Sequence, residues 1–132
     1  MNRDGLDKRL RDLGIYSEYY YRKEMKVLTE LLKEGESLNC VFTGVNQANR
    51  KLVAVTDAKV YVIFGGALGS GNVQVIKREA IEGYAFTKRF LRSSVELELP
   101  EETLEFTGVQ AARKELFEWA MSWPLPEIEQ EQ

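Results

Sequence analysis

Histidine is absent from this sequence of 132 residues, and cysteine occurs once, at Cys40. Without histidine the chain cannot form a serine–histidine–aspartate or cysteine–histidine catalytic set, nor can it build the usual zinc ligand sets. A pair of carboxylates for acid–base catalysis and a metal site made of carboxylates alone both stay open on composition. A single cysteine cannot close an internal disulfide, which is typical of a reducing compartment. We therefore expect a cytoplasmic protein.

Long apolar runs are also missing. No stretch approaches the roughly 18 consecutive apolar residues that a membrane-spanning helix needs, and residues 1–4 lead into charged sequence instead of a signal-peptide core. The net charge of −3 argues against a globally basic nucleic-acid binder, although it leaves room for local patches. We expect one domain with no transmembrane segment, no nucleic-acid partner, no metal and no cofactor.

Helical periodicity dominates the start of the chain. Leu6, Leu10 and Leu13 fall on one face of a helix, and Gly14 is a favourable place for that helix to stop. Ser17 is a typical N-cap for a second helix, which we predict to run to about residue 33. Residues 1–23 form an N-terminal helical extension in this interpretation.

Beyond Gly35, which offers a left-handed cap to the second helix, the apolar periodicity changes to two. Short runs rich in β-branched and aromatic residues follow one another with short connections, as in an antiparallel meander. Asp57 can hydrogen-bond its own backbone and fix a tight turn, and Gly83 suggests a bulge. The predicted strands lie at 40–45, 52–55, 60–64, 73–76, 81–87, 95–99 and 104–106.

A final amphipathic helix is predicted after the last strand. Residues 107–110 have the pattern of a capping box, and prolines at positions 124 and 126 end the helix. Its apolar stripe consists of Val109, Ala112, Leu116, Trp119 or Ala120, and Trp123. Strands that each carry one apolar face can bury it by curling into a barrel, and we predict that this tryptophan-bearing helix closes the open end. The acidic residues 124–132 are expected to form a disordered tail.

Three sequence runs in this order resemble a known family. They are LLKEGE at 31–36, KLVAVTDAKVYVIFGG at 51–66 and VIKREAIEG at 75–83. The most specific positions are Gly35, Glu36, Leu52, Val55, Thr56, Asp57, Lys59 and Ile63. Residues 24–123 resemble the bacterial pleckstrin-homology-like domains of the YokE type. The resemblance implies a mainly β fold with helices, namely a split barrel of seven antiparallel strands capped by a C-terminal helix, and it implies no catalytic set.

Domains of this kind act by presenting a surface, so we expect a non-catalytic binding or scaffold module. Its target would be a protein partner or an anionic membrane. An alternative is a structural protein that self-associates through the N-terminal helices, and a carboxylate-based enzyme is a third. Because one fold hosts many functions, the choice depends on individual sites.

A basic cluster is the first candidate site. It comprises Lys77, Arg78, Lys88, Arg89, Phe90 and Arg92. Its first two residues close a predicted strand, and the others lie with Leu91 in the turn between the next two strands. Cations around an apolar side chain can attach a loop to an anionic membrane, where each basic residue contributes about 1 kcal/mol. The alternative is a solvated turn whose Phe90 folds back onto the barrel.

Three tyrosines of the extension form the second candidate site. Tyr16, Tyr19 and Tyr20 fall near one face of a helix. Tyrosine is enriched at interfaces, so these residues could bind a protein partner or a second copy of the chain. The alternative is that the extension packs across the outside of its own barrel. Both interpretations stay open on the sequence.

The remaining motifs favour structural roles. The glycine-rich stretch at 65–71 lacks the lysine and the following helix of a phosphate-binding loop, so we interpret it as a flexible hairpin connection. Glu96 and Glu98 alternate with apolar residues, as on the outward face of a half-buried strand. Cys40 is interpreted as a buried core residue.

Overall fold

A computed structural model of the chain describes residues 2–65, 72–90 and 92–123. Most of the predicted glycine-rich connection, Leu91 and the predicted tail at 124–132 lie outside the described residues. The helices are α1 (Arg3–Asp12), α2 (Tyr16–Tyr19), α3 (Glu24–Leu31) and α4 (Lys114–Met121). The strands are β1 (Leu38–Asn46), β2 (Asn49–Thr56), β3 (Lys59–Phe64), β4 (Asn72–Lys77), β5 (Gly83–Thr87), β6 (Ser93–Glu98) and β7 (Thr103–Val109).

The seven strands form one antiparallel arrangement in the order β4-β3-β2-β1-β7-β6-β5. Antiparallel pairing joins β1, β2, β3 and β4 into a first meander and β5, β6 and β7 into a second, and the pairing of Val45 with Thr107 links the two meanders. Gly44 permits this close crossing, because a Cβ atom at that position would lie 2.9 Å from the Cβ of Phe106. The predicted fold class, a seven-stranded antiparallel barrel with a C-terminal helix and N-terminal helices, is confirmed.

One hydrophobic core lies inside the curled sheet. It unites side chains of β1–β7 with the inner face of α4, where Phe117 is fully buried. The Phe117 ring centroid lies 5.8 Å from that of Phe42, 5.7 Å from that of Tyr84 and 5.9 Å from that of Phe86. Phe117 therefore closes the barrel by contacts with strands of both meanders.

The predicted apolar stripe faces the core at Val109, Leu116 and Ala120, but it is wrong at Ala112 and Trp119, which are exposed. The capping-box residues 107–109 belong to β7, and the helical segment begins only with a 3-10 turn at Ala111–Arg113. Strand pairing of the β7 residues thus overrides the local capping pattern. Within α4, Phe117, Ala120 and Met121 are buried, whereas Trp119 is 42% exposed.

The N-terminal helices cover the outer face of β1, β2 and β3. Side chains of the helices and of these strands together form a second hydrophobic core. Its buried members are Leu6, Leu10, Ile15, Tyr19, Met25, Leu28, Leu32, Leu38, Val41, Leu52, Ala54, Tyr61 and Ile63. β1, β2 and β3 therefore carry apolar side chains on both faces, which explains the uninterrupted burial of residues 52–56. The extension packs across its own barrel, as one of the two sequence interpretations stated.

The predicted second helix is divided into two. The N-cap of α2 is Ile15 in place of Ser17, and the α-helix is interrupted between α2 and α3. This interruption lets Tyr19 and Met25 both reach the outer core, so tertiary packing overrides the continuous helical pattern. Gly14 has a φ of +78°, as a left-handed stop requires.

The predicted turn after β2 is fixed by Thr56 and not by Asp57. The Thr56 Oγ1 atom accepts hydrogen bonds from the backbone N–H groups of Ala58 at 3.1 Å and Lys59 at 2.9 Å. Asp57 Oδ1 instead accepts the N–H of Ser37 at 3.0 Å. The Thr56 hydroxyl oxygen is bonded to Cβ and therefore reaches the nearby N–H groups of the turn. The Asp57 carboxylate oxygens are one bond further from the backbone, and Oδ1 contacts the segment that precedes β1.

A buried carboxylate joins that segment to the β2–β3 hairpin. Glu36 is 8% exposed and accepts hydrogen bonds from the hydroxyls of Thr56 at 2.6 Å and Tyr61 at 2.9 Å. It also accepts the backbone N–H of Lys33 at 3.0 Å. Burial, followed by the hydrogen bond to Glu36, raises the pKa of Tyr61. This carboxylate network gives a structural role to two positions of the family resemblance.

The predicted bulge at Gly83 is wrong. Gly83 pairs with Glu98 in a continuous β5–β6 register, and the irregularities lie between Leu38 and Cys40 and between Ser93 and Val95. Glycine at position 83 instead leaves room for the Glu98 side chain, because a Cβ atom there would lie 2.9 Å from Glu98 Oε1.

Candidate functional site

The β5–β6 hairpin ends in a basic tip, which we define as Lys88, Arg89, Phe90 and Arg92. The strands below it are firmly placed, because Thr87 pairs with Ser94 and the inward-facing Phe86 packs against Phe117. All four residues of the basic tip are exposed. Among the described residues, none of the ion pairs involves a cation of the basic tip.

Phe90 projects from the basic tip into solvent. Its side chain is 96% exposed. Phe86, which lies in β5 of the same hairpin, is only 8% exposed. The sequence interpretation in which Phe90 folds back onto the barrel therefore does not hold. An isolated ring surrounded by cations has both of the properties that favour insertion at an anionic interface, namely apolar area and positive charge.

Arg78 does not belong to this surface, so its assignment to the basic cluster is corrected. It is 5% exposed, and its Nη2 atom donates to the carbonyls of Met121 and Trp123, at 2.9 Å in each case. Burial lowers the pKa of Arg78. The guanidinium satisfies carbonyls at the end of α4 and holds that helix against the barrel. Lys77 is exposed at the end of β4, at the opposite end of the strand order from β5.

The three predicted tyrosines do not share one surface. Tyr19 is 3% exposed, and its hydroxyl accepts a hydrogen bond from Arg113 Nε at 3.3 Å. Burial raises the pKa of Tyr19. Arg113 also forms an ion pair with Glu18, so the pair ties α2 to the beginning of α4. Tyr19 therefore fixes the extension to the barrel and is unavailable to a partner.

The other two tyrosines belong to a larger group that the sequence did not reveal. Tyr16 and Tyr20 are stacked, with ring centroids 4.8 Å apart, and the Tyr21 ring meets that of Tyr20 edge-on at 5.7 Å. Arg11 lies 4.1 Å from the Tyr16 centroid and Arg22 lies 5.8 Å from the Tyr21 centroid. We call these five residues the tyrosine array. Helical spacing predicted that Tyr16 and Tyr20 lie on one face. The contact of Arg11 with Tyr16 depends on how α1 packs against α2, which the spacing does not show.

The carboxylates of the second meander lie on its polar face. Glu96 is opposite Glu105 in the β6–β7 pairing, and Glu98 is exposed. Among residues 2–65, 72–90 and 92–123, no group of three or more aspartate, glutamate or cysteine side chains is placed to hold a metal ion. Cys40 is fully buried, and burial raises the pKa of its thiol, so the thiolate nucleophile is disfavoured at neutral pH.

A shallow depression of about 280 Å³ lies beside the β1–β2 turn. It is lined by Gln47, Asn49, Lys51, Val62, Phe64, Asn72, Val73 and Gln74. Lys51 donates a hydrogen bond from Nζ to Asn46 Oδ1 at 2.8 Å, so its charge is partly engaged. The carboxamides can form hydrogen bonds but are neither acids nor bases near neutral pH. Sequence reasoning missed this depression because three separate strands contribute to it.

Within the described residues, no helix is both long and apolar enough to cross a membrane. No protein-family model matches the sequence, and no curated protein matches it. The assignment to the YokE type therefore stays a prediction. Among solved structures, the chain is similar to a pleckstrin homology domain from Shewanella amazonensis SB2B. The two share 18% sequence identity with a TM-score of 0.49, over 74% of this chain and 86% of that chain.

Proposed function

We propose that this protein is a non-catalytic binding module that attaches peripherally to anionic membrane surfaces through the basic tip. The observation that carries the proposal is Phe90, which is 96% exposed among three cations. Since no described carboxylate pairs with those cations, their charge is free to act on an external anion.

The expected affinity follows from the size of the basic tip. Three basic residues near an anionic surface contribute about 3 kcal/mol together, and burial of a phenylalanine ring adds about 2 kcal/mol. A total of about 5 kcal/mol corresponds to a dissociation constant of the order of 0.1–1 mM in accessible lipid. One tip thus gives weak, reversible attachment that high salt weakens.

The charge distribution of the second meander favours one orientation at such a surface. Glu96, Glu98 and Glu105 lie along the strands behind the basic tip, where an anionic membrane repels them. A hairpin with cations at its end and carboxylates along its length therefore approaches with the tip first. Packing of Phe86 in β5 against Phe117 fixes the position of the basic tip relative to the barrel.

The proposal is tested by sedimentation with vesicles that contain phosphatidylserine or phosphatidylcholine alone. At low salt we expect the protein to sediment with the anionic vesicles, to lose binding at high salt, and to bind neutral vesicles poorly. Phe90→Ala and the double variant Arg89→Glu/Arg92→Glu should each reduce binding. The control is Lys26→Glu/Lys77→Glu, which changes the net charge equally at exposed positions outside the basic tip.

Three results would overturn the proposal. One is that the protein binds no vesicles, in which case a protein partner for the same tip becomes the alternative. Another is equal sedimentation with neutral and anionic vesicles. The last is equal loss of binding in the tip variant and in its charge-matched control, which would mean that overall charge, and not the basic tip, governs attachment.

A further inference from the structure

The tyrosine array is a continuous row of aromatic and guanidinium side chains on the extension. Tyr20 is 45% exposed and Tyr21 is 65% exposed, so both rings present large apolar areas to solvent. None of the ion pairs among the described residues includes Arg11 or Arg22. Two guanidiniums are therefore held in place by ring contacts while their capacity to bind carboxylates is unused.

The chemistry of this surface matches one kind of ligand. Rows of aromatic rings bind proline-containing segments, because a polyproline II strand is already extended and loses little entropy on binding. Guanidiniums beside the rings add recognition of carboxylates. The tyrosine array thus fits an extended segment in which prolines and acidic residues follow each other closely.

The chain contains such a segment directly after its described part. Residues 124–132 read PLPEIEQEQ, with two prolines followed by three glutamates and no cation. Charge and composition therefore make residues 124–132 complementary to the tyrosine array.

The segment also starts within reach of the array. It follows Trp123, whose carbonyl is held by Arg78, and α4 leads from there back to Arg113, which contacts Glu18 and Tyr19 of α2. An α-helix of eight residues is about 12 Å long, whereas nine residues in polyproline II conformation span about 28 Å. The segment can therefore return along α4 to α2 with length to spare.

We propose that residues 124–132 dock in the same molecule on the tyrosine array, with the prolines against the exposed rings and the glutamates beside the guanidiniums. This contact covers the apolar rings of Tyr20 and Tyr21 and ties the C-terminal segment to the extension. It does not depend on the proposed membrane attachment, because it uses a different element and different cations.

The test uses the full chain with Gln130→Cys, labelled with a nitroxide. Native Cys40 is fully buried and should stay unlabelled, which the unsubstituted protein checks. We expect paramagnetic broadening to remove most amide signal intensity at residues 16–22. That loss should disappear in Arg11→Gln/Arg22→Gln and in Tyr20→Ala/Tyr21→Ala. It should persist in Lys8→Gln/Lys26→Gln, which removes the same charge from exposed positions of α1 and α3.

Three outcomes would overturn the proposal. Broadening centred on residues 88–92 would place the segment on the basic tip instead. Broadening that appears only when labelled and isotope-enriched molecules are mixed would show that a second copy supplies the segment. Weak broadening without a preferred location, unchanged in all variants, would mean that the segment does not dock.

Discussion

Replacing Phe117 by alanine removes the side chain that closes the barrel. The ring is fully buried and meets three other rings at centroid distances between 5.7 Å and 5.9 Å. Loss of a buried phenylalanine costs about 3–5 kcal/mol, and loss of aromatic pairs adds about 0.5–1.5 kcal/mol for each well-oriented pair. Because part of the second contribution is already contained in the first, we expect a loss of about 4 kcal/mol in the free energy of unfolding.

Urea denaturation followed by tryptophan fluorescence measures this loss. With a urea dependence of about 2 kcal/mol per molar, the midpoint should fall by about 2 M. Two substitutions on the same helix provide an internal scale. Leu116 is partly buried, so Leu116→Ala should cost about 1–2 kcal/mol. Trp119 is 42% exposed, so Trp119→Ala should cost about 1 kcal/mol or less; circular dichroism replaces fluorescence for that variant.

The order of the three losses decides between the two descriptions of α4. If Trp119→Ala destabilises the protein as much as Phe117→Ala, the helix face assigned here is wrong, and the tryptophan stripe predicted from the sequence is restored. Equal and small losses in all three variants would mean that α4 does not close the barrel.

Two further predictions concern the buried polar groups. Glu36→Ala leaves two buried hydroxyls and one backbone N–H without their carboxylate, so it should lower the free energy of unfolding by about 2–4 kcal/mol; exposed Glu34→Ala is the control, and an equal effect would contradict the role of the network. Because burial raises the pKa of Cys40, the unfolded chain loses this proton first, so stability is full below about pH 8.5 and falls above it by at most about 1.4 kcal/mol per pH unit. Denaturation between pH 7 and 11 should show a later decline in Cys40→Ala, beginning near pH 10, where Tyr19 and Tyr61 contribute likewise because burial raises their pKa values, and identical profiles would contradict this assignment.

The local sequence pattern was sufficient to predict the strands, because their apolar period of two and their β-branched and aromatic composition are unambiguous. All seven predicted segments are strands, with bounds that differ by up to a few residues. Asp57 was recognised as a turn residue, but Thr56 accepts the hydrogen bonds of the turn, because Asp57 instead accepts the N–H of Ser37, which lies 20 positions earlier in the chain. The basic tip was found for the same local reason: a hairpin turn is contiguous in sequence, so its exposed residues are neighbours in the chain.

Contacts between distant segments were not predictable in this way. Arg78 looked like any basic residue at the end of a strand, and only the end of α4, more than 40 positions later, supplies the carbonyls that bury it. The tyrosine array required α1 to fold back on α2, which places Arg11 over Tyr16. Pattern along one element does not contain this information.

The sequence by itself determined the seven strands, the presence of helices before and after them, and the exclusion of histidine chemistry. These features follow from composition and from periods within single elements. The tertiary structure alone decided which face of α4 enters the barrel, that the extension covers β1–β3, and which cations stay in solvent. Those outcomes depend on burial of apolar area between segments far apart in the chain, and such burial overrides local helix and capping signals.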